Sequence, residues 1–232
     1  MNKIYIFNFN NLIMNDMDNI LIDQCIFGDI NTDNLSLKRL FDITISTIAL
    51  LVLSPVFLIV ALLILIDSKG PLFFAQTRIG KQGKAFKMWK FRSMYVDAEA
   101  RKSALIKQNN LEEVVRFKLK TDPRITRVGH LIRHFSLDEL PQFWNVLQGE
   151  MSLVGPRPPL PNEVEQYTPY QARRLAVVPG ITCIWQVSGR SDIPFEKQVE
   201  MDLEYINNQS FIFDLALLFK TIPAVLKAQG AY

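Results

Sequence analysis

The chain has 232 residues, 26 Lys plus Arg against 23 Asp plus Glu, and 49% hydrophobic residues, which fits one domain with an appendage and excludes a disordered chain. Its two cysteines, Cys25 and Cys183, exclude a disulfide framework or a multi-cysteine metal module and fit a reducing compartment. The net charge of +3 conceals an asymmetry: residues 1–68 carry 3 basic and 7 acidic side chains, 69–133 carry 16 and 5, and 134–232 carry 7 and 11, so the basic middle points to an anionic partner, whether membrane surface, nucleic acid or phosphorylated small molecule.

Residues 1–36 hold five Asp and eight Asn and read as a weakly ordered extension. Between Asp42 and Asp67 lie 24 residues without a charge, about 36 Å as a helix and apolar all round, as a membrane-inserted segment is. It is no cleaved signal peptide, because the polar stop Asp67-Ser68-Lys69-Gly70-Pro71 follows it instead of a small-residue cleavage site. Pro55, after Ser54, divides it into halves of about 18 Å, each well short of a hydrocarbon core of roughly 30 Å. Proline removes a backbone hydrogen bond, and a serine beside it can satisfy the freed carbonyl. Hydropathy alone favours a kinked spanning helix over a re-entrant hairpin. Lys38 and Arg39 before the segment, and Lys69, Arg78, Lys81, Lys84 and Lys87 after it, make both flanks basic, which keeps residues 68–232 cytoplasmic under either topology.

Apolar and aromatic runs over 71–76 and 85–91, on either side of Gly80-Lys81-Gln82-Gly83, predict a hairpin. Helices are predicted over 97–116, 129–135 and 140–147, the last stopped by Gly149. Pro156, Pro158, Pro159 and Pro161 mark a rigid extended loop, and helices follow over 196–205 and 213–226. The class is mixed α and β, helix-rich, without the alternation that builds a large parallel sheet.

His130 and His134 have the i, i+4 spacing of metal-binding histidines, but Leu131 occupies the place of a zincin glutamate and no third ligand is apparent, so a structural role is expected. There is no Walker loop and no GxGxxG. Ser136-Leu137-Asp138-Glu139-Leu140-Pro141-Gln142 has a bland reading as a capping box, with Ser136 capping and Glu139 reaching back. The same physics serves chemistry, since a carboxylate at a helix N-terminus stays ionised and can attack phosphorus or hold Mg²⁺. Lys90, Arg133 and Arg157, if the fold gathers them, suit a diphosphate.

From Leu37 onward the chain resembles the bacterial sugar transferase family, the monotopic phosphoglycosyl transferases that begin glycan assembly on polyprenyl phosphate. The pieces that carry the resemblance follow the family's order: Lys38-Arg39-Leu40-Phe41-Asp42 before the Ser54-Pro55 helix, Lys90-Phe91-Arg92-Ser93-Met94, the run Ser136 to Gln142, Met151-Ser152-Leu153-Val154-Gly155-Pro156-Arg157-Pro158, Pro179-Gly180-Ile181-Thr182, and Trp185-Gln186-Val187-Ser188-Gly189-Arg190. The resemblance implies that Asp138 is the nucleophile and Mg²⁺ ligand, with Glu139 its acidic partner. It implies phosphate or nucleotide contacts from Lys90, Arg133, Arg157, Arg190 and Asp202. It also implies that Ser54-Pro55 turns a re-entrant helix, against the preference from hydropathy. The resulting organisation is an extension over 1–36, a membrane-inserted re-entrant helix over 37–68 and one compact cytoplasmic catalytic domain over 69–232, at the inner membrane.

The implied reaction transfers a sugar 1-phosphate from a UDP-sugar to undecaprenyl phosphate, with membrane lipid as a further partner and no nucleic acid. The ending Gln229-Gly230-Ala231-Tyr232 resembles exopolysaccharide and capsule members, which favours galactose or glucose over an N-acetylated sugar. Val178 and Cys183 depart from the family's usual cation and glycine; the first removes a cationic contact and the second reads as packing. The rivals are a membrane-tethered nucleic-acid-binding protein, for which no motif is present, and a non-catalytic scaffold, with which the intact Asp138-Glu139 pair conflicts. A homo-oligomer is open.

Overall fold

Ser54-Pro55 divides the apolar run as its chemistry requires. In the computed structural model, which describes residues 35–101 and 122–227, helix α1 (Leu35–Val52) ends at the break and helix α2 (Ser54–Asp67) begins with proline in its first turn. Pro55 has no N–H for the carbonyl of Leu51, four residues back, and the Ser54 hydroxyl donates to that oxygen at 2.8 Å. The two helices bend by 59°. No single helix among the described residues is long and apolar enough to cross a membrane.

Both ends of this pair are fastened to the rest of the chain. Strands β1 (Phe73–Ile79) and β2 (Ala85–Phe91) form the antiparallel hairpin, its tip carried by Gln82 and Gly83 at φ 54 and 74. Helix α3 (Arg127–His134), capped by Thr126, leads to a 3-10 turn (Leu137–Glu139) and helix α4 (Gln142–Gln148), which Gly149 ends at φ 82. A short parallel pair, β3 (Ser152–Val154) and β4 (Gly180–Thr182), is linked by the proline loop and two single-turn helices, α5 (Pro161–Val164) and α6 (Pro169–Ala172). Helices α7 (Ile184–Ser188), α8 (Phe195–Asn207) and α9 (Phe211–Lys227) complete the described chain. The architecture is mixed α and β and helix-rich, as expected. The helix predicted over 97–116 falls mostly outside the described residues, as do the 1–34 extension, Cys25 and the last five residues.

Charged groups fasten the start of α1. The Lys38 ammonium pairs with Asp214 of α9 and donates to the Val154 carbonyl at 3.1 Å, while Tyr205 donates to Asp214 at 2.7 Å. Arg39 donates to the last-turn carbonyls of α4, Val146 at 2.5 Å and Leu147 at 2.8 Å, and Asp42 accepts from the Leu153 amide at 3.2 Å. Phe41 and Ile45 join the core formed by Leu153, Val154, Tyr205 and Leu217. The first turns of the 24-residue uncharged run are therefore domain core, with Ser46 fully buried.

Apolar packing fastens α2. Val60 and Ile64 are buried against Phe91 and Ile132, with Leu137 and Leu140 packed on the same cluster. Truncating such a residue to alanine costs about 2–5 kcal/mol. At the helix end Asp67 accepts from the Val128 amide of α3 at 3.0 Å, and Arg92 donates to the Ser68 and Lys69 carbonyls at 2.7 and 2.8 Å. Close approach secures the contact: a Cβ on Gly129 would lie 1.9 Å from the Ser93 carbonyl oxygen. The opposite faces of the pair remain bare, with Leu51, Val52, Leu58 and Ile66 between 63% and 83% exposed.

Three of the cations that made the flanks basic, Lys38, Arg39 and Arg78, are bonded to protein carbonyls rather than displayed at the surface. The charge pattern that suggested a cytoplasmic bias partly encodes docking.

Candidate active site

Asp138 and Glu139 occupy the 3-10 turn, whose flanking Leu137 and Leu140 pack on α2 and β2. The apolar helix is thus the support on which the two carboxylates rest. Ser136 enters the turn at φ 55 and its side chain makes no cap bond. The expected capping box is therefore absent: an N-cap residue presents its hydroxyl from an extended backbone, and a left-handed one does not. Glu139 turns away instead, accepting from the Lys90 ammonium of β2 at 2.6 Å, with Arg157 3.8 Å from the same oxygen.

Neighbouring in sequence, the two acids stand in opposite environments. Burial pushes the Asp138 carboxyl up to about 6; Glu139 adds to the rise, while Lys90 and Arg133 oppose it. Burial also works against ionisation of Glu139, but Lys90 and Arg157 outweigh it and hold that carboxyl down near about 2. Among the described residues no cation lies within ion-pair distance of Asp138, so its carboxylate is buried without an ion pair. Four cations act on these two carboxylates: Lys90, Arg133, Arg157 and the buried Arg78. Glu163 also acts on Arg78, and Arg133 also acts on Asp122, so the four cations are shared with further carboxylates; their gathering around Asp138 and Glu139 still suits an anionic ligand.

The structure brings Lys90, Arg133, Arg157, Asp138 and Glu139 together. It places the other two expected site residues elsewhere. Arg190, at φ 53, donates to the Ala224 carbonyl of α9 at 3.0 Å. Asp202 is fully buried on α8 and paired with Arg174, whose charge it sustains against burial. Arg174 also donates to Tyr167 at 3.0 Å. Ser54 and Pro55 stand at the bend, as described. Cys183 is buried, its thiol pushed up by burial and donating to Gln186 at 3.1 Å, in keeping with packing rather than reactivity. His130 and His134 are both exposed, the latter edge-on to Phe135.

Sequence reading missed Arg78, which it counted only as a flanking charge. The signal was faint: a lone cation between Thr77 and Ile79 in a strand pattern, whose carbonyl partner Pro158 lies 80 residues away.

Among the described residues no group of three or more His, Cys, Asp or Glu side chains could hold a metal ion. Mg²⁺ does not require one, because it is bound through one or two carboxylates together with substrate phosphates and water. The Asp138 carboxylate fits that donor set.

The bacterial sugar transferase family matches residues 33–228. The chain is 46% identical over 199 residues to the galactosyl transferase CpsE of Streptococcus agalactiae, covering 85% of this chain and 44% of that one. It is 42% identical over 198 residues to the exopolysaccharide production protein ExoY of Sinorhizobium fredii, covering 84% and 88%. It is 40% identical over 238 residues to the UDP-glucose:undecaprenyl-phosphate glucose-1-phosphate transferase of Escherichia coli, covering 99% and 48%. The chain spans less than half the length of the first and third of these relatives. With a family match over most of its length, the chain belongs to the bacterial sugar transferase family.

Proposed function

We propose that the chain is a phosphoglycosyl transferase that moves a sugar 1-phosphate from a UDP-sugar to undecaprenyl phosphate and releases UMP. The observation that carries this reading is the buried Asp138 carboxylate, which has no ion pair among the described residues, with Lys90, Arg133 and Arg157 gathered about it and Glu139. A diphosphate is the kind of anion such cations hold, and relatives named UDP-galactose-lipid carrier transferase and undecaprenyl-phosphate galactose phosphotransferase belong to the same reaction class. Those names favour galactose or glucose as the sugar.

In the first step an oxygen of ionised Asp138 attacks the β-phosphorus of the donor. The bond from that phosphorus to the bridging oxygen breaks, and UMP leaves with the oxygen and its electron pair. The phosphosugar is then held as an acyl phosphate on Asp138. In the second step an oxygen of undecaprenyl phosphate attacks the same phosphorus and the carboxylate of Asp138 departs. Lys90 keeps Glu139 ionised and turned away, so the negative charge of Glu139 raises the basicity of its neighbour without competing for the phosphorus. Arg133 and Arg157, which make no hydrogen bond within the described chain, are free to hold phosphate oxygens bidentately. Mg²⁺, held by Asp138 and the diphosphate, would neutralise developing charge on the phosphate oxygens.

The bent helix pair would serve this chemistry as a re-entrant hairpin. Its start is bonded to β3, α4 and α9 and its end to α3 and β2, so both ends belong to one side of a bilayer while the bare apolar bend dips inward. The carboxylates packed on α2 then stand at headgroup depth, where an acceptor with a long apolar tail presents its phosphate.

Purified full chain incubated with a labelled UDP-sugar, Mg²⁺ and undecaprenyl phosphate is expected to produce lipid-linked label and UMP. No transfer with any UDP-hexose or N-acetylhexosamine donor would sink the reaction. Cysteines placed at positions 37 and 69 should label from the same side of the membrane, whereas labelling from opposite sides would refute the hairpin.

A further inference from the structure

Arg78 is only 8% exposed, on β1, the partner of the strand β2 that packs beside the catalytic turn, yet it forms no ion pair within the described residues. Its guanidinium makes two hydrogen bonds, from Nη1 to the Pro158 carbonyl at 3.0 Å and from Nη2 to Gln76 Oε1 at 2.7 Å, while Nε has no partner. Burial, with Arg157 adding to it, lowers the guanidinium to about 10, although Glu163 and Glu139 act against the fall. An incompletely satisfied buried cation beside another cation is a poor device for stability, since an apolar side chain of similar size does as well or better. Its geometry suggests a different task.

The Pro158 carbonyl belongs to the residue after Arg157. The next carbonyl, Pro159, accepts from the Ile79 amide at 3.0 Å, so two successive residues of β1 grip two successive carbonyls of the loop. On the other side the Pro156 carbonyl accepts from the Gly180 amide at 2.9 Å, and the Gly155 amide donates to Thr182 at 3.0 Å. That second grip permits no side chain, because a Cβ on Gly180 would lie 2.0 Å from the Gly155 nitrogen. Arg157 therefore projects from a backbone clamped immediately before and after it. Its head group, 35% exposed and 3.8 Å from Glu139, is thereby left free for a ligand.

We propose that Arg78 is a positioning residue that fixes Arg157 over the catalytic turn through the Pro158 carbonyl. This rests on the reading that Arg157 meets the donor phosphates. The planar fork of a guanidinium reaches Pro158 and Gln76 together, which a lysine ammonium of equal charge cannot do in the same geometry. Tight placement of a phosphate-binding cation matters because small misplacements in a transfer site cost as much as about 100-fold in rate.

The test uses the full chain in detergent or bilayer discs, with Arg78→Met, Arg78→Lys, Arg157→Ala and the paired variants. Hydrogen exchange at the Gly155, Arg157 and Leu160 amides needs no substrate. It should accelerate in Arg78→Met and, less, in Arg78→Lys, with exchange in α8 and α9 unchanged; unaltered exchange in the loop overturns the proposal. In UMP release, Arg78→Met should lower kcat/KM by about 10–100-fold, but by less than about threefold in the Arg157→Ala background. Losses that multiply in full would overturn it, because Arg78 would then act independently of Arg157. If Arg78→Met fails to fold, Arg78→Lys carries the same cycle. A wild-type chain that releases no UMP refutes the transfer reaction instead, and the exchange comparison still decides the role of Arg78.

Discussion

Two of the buried charge clusters among the described residues differ in one respect. Around Arg174 and Asp202 every formal charge has its opposite: one guanidinium and one carboxylate, with a tyrosine hydroxyl accepting from the guanidinium, between α8 and the 3-10 turn over Arg173–Ala176. Around Asp138 and Glu139 four cations gather, and one of the two carboxylates has no cation at ion-pair distance. The matched cluster is architecture; the unmatched one awaits a ligand. A residue's type does not separate the two cases, because Asp202 and Asp138 are both buried aspartates. Whether a cation pairs with the carboxylate does.

The comparison can be broken by substitutions that affect one cluster and not the other. The largest effect is expected from Asp138→Asn, which keeps the shape of the side chain and removes the nucleophile: UMP release should fall by about 10³-fold or more with the thermal midpoint essentially unchanged. Asp202→Asn should do the reverse. It leaves the Arg174 guanidinium buried and uncompensated, so unfolding free energy should drop by about 3–5 kcal/mol in a denaturant titration, with turnover per folded molecule retained. Lost turnover in well-folded Asp202→Asn would move Asp202 back into the site.

Smaller effects sharpen the contrast within the catalytic turn. Lys90→Met removes the cation that holds Glu139 ionised and turned aside, and kcat/KM should fall by about 10–100-fold. The pH profile follows from the opposite environments of the two acids. Asp138, raised to about 6 in the free protein, must be ionised to attack, so kcat/KM should decline about tenfold per pH unit as pH falls below 6. Glu139, held near about 2, should add no limb in the measurable range. A flat profile down to pH 4 would contradict the assignment of Asp138 as the attacking group.

Much of the fold was legible because its causes are local. The Gly80–Gly83 turn announced the β hairpin, the Ser54-Pro55 step announced the bend, and Gly149 announced the end of α4. The Asp138-Glu139 pair was legible as a candidate for the same reason: two acids beside a predicted helix start form a local pattern. What escaped depends on distant partners. Arg78 is joined to a carbonyl 80 residues on, Asp202 to an arginine 28 residues back, and Lys38 to Asp214 at 176 residues. Periodicity and spacing carry no trace of such pairings, so a docking lysine read as a membrane flank, and the buried partner of Asp202, which only the resemblance singled out, went unseen. Ser136 failed for a subtler reason: the capping-box pattern was present, but the chain enters the turn through a left-handed residue and Lys90 captures the glutamate.

The account stands most directly on the covalent step. Protein mixed with a UDP-sugar labelled in the sugar and its phosphate, with Mg²⁺ and without undecaprenyl phosphate, should be quenched and measured by intact mass and peptide mapping. The unmatched cluster predicts one phosphosugar per chain on the peptide containing Asp138, chased to lipid when undecaprenyl phosphate is added, and absent in Asp138→Asn. Label transferred to lipid with no adduct on the protein, or an adduct that persists in Asp138→Asn, would contradict it.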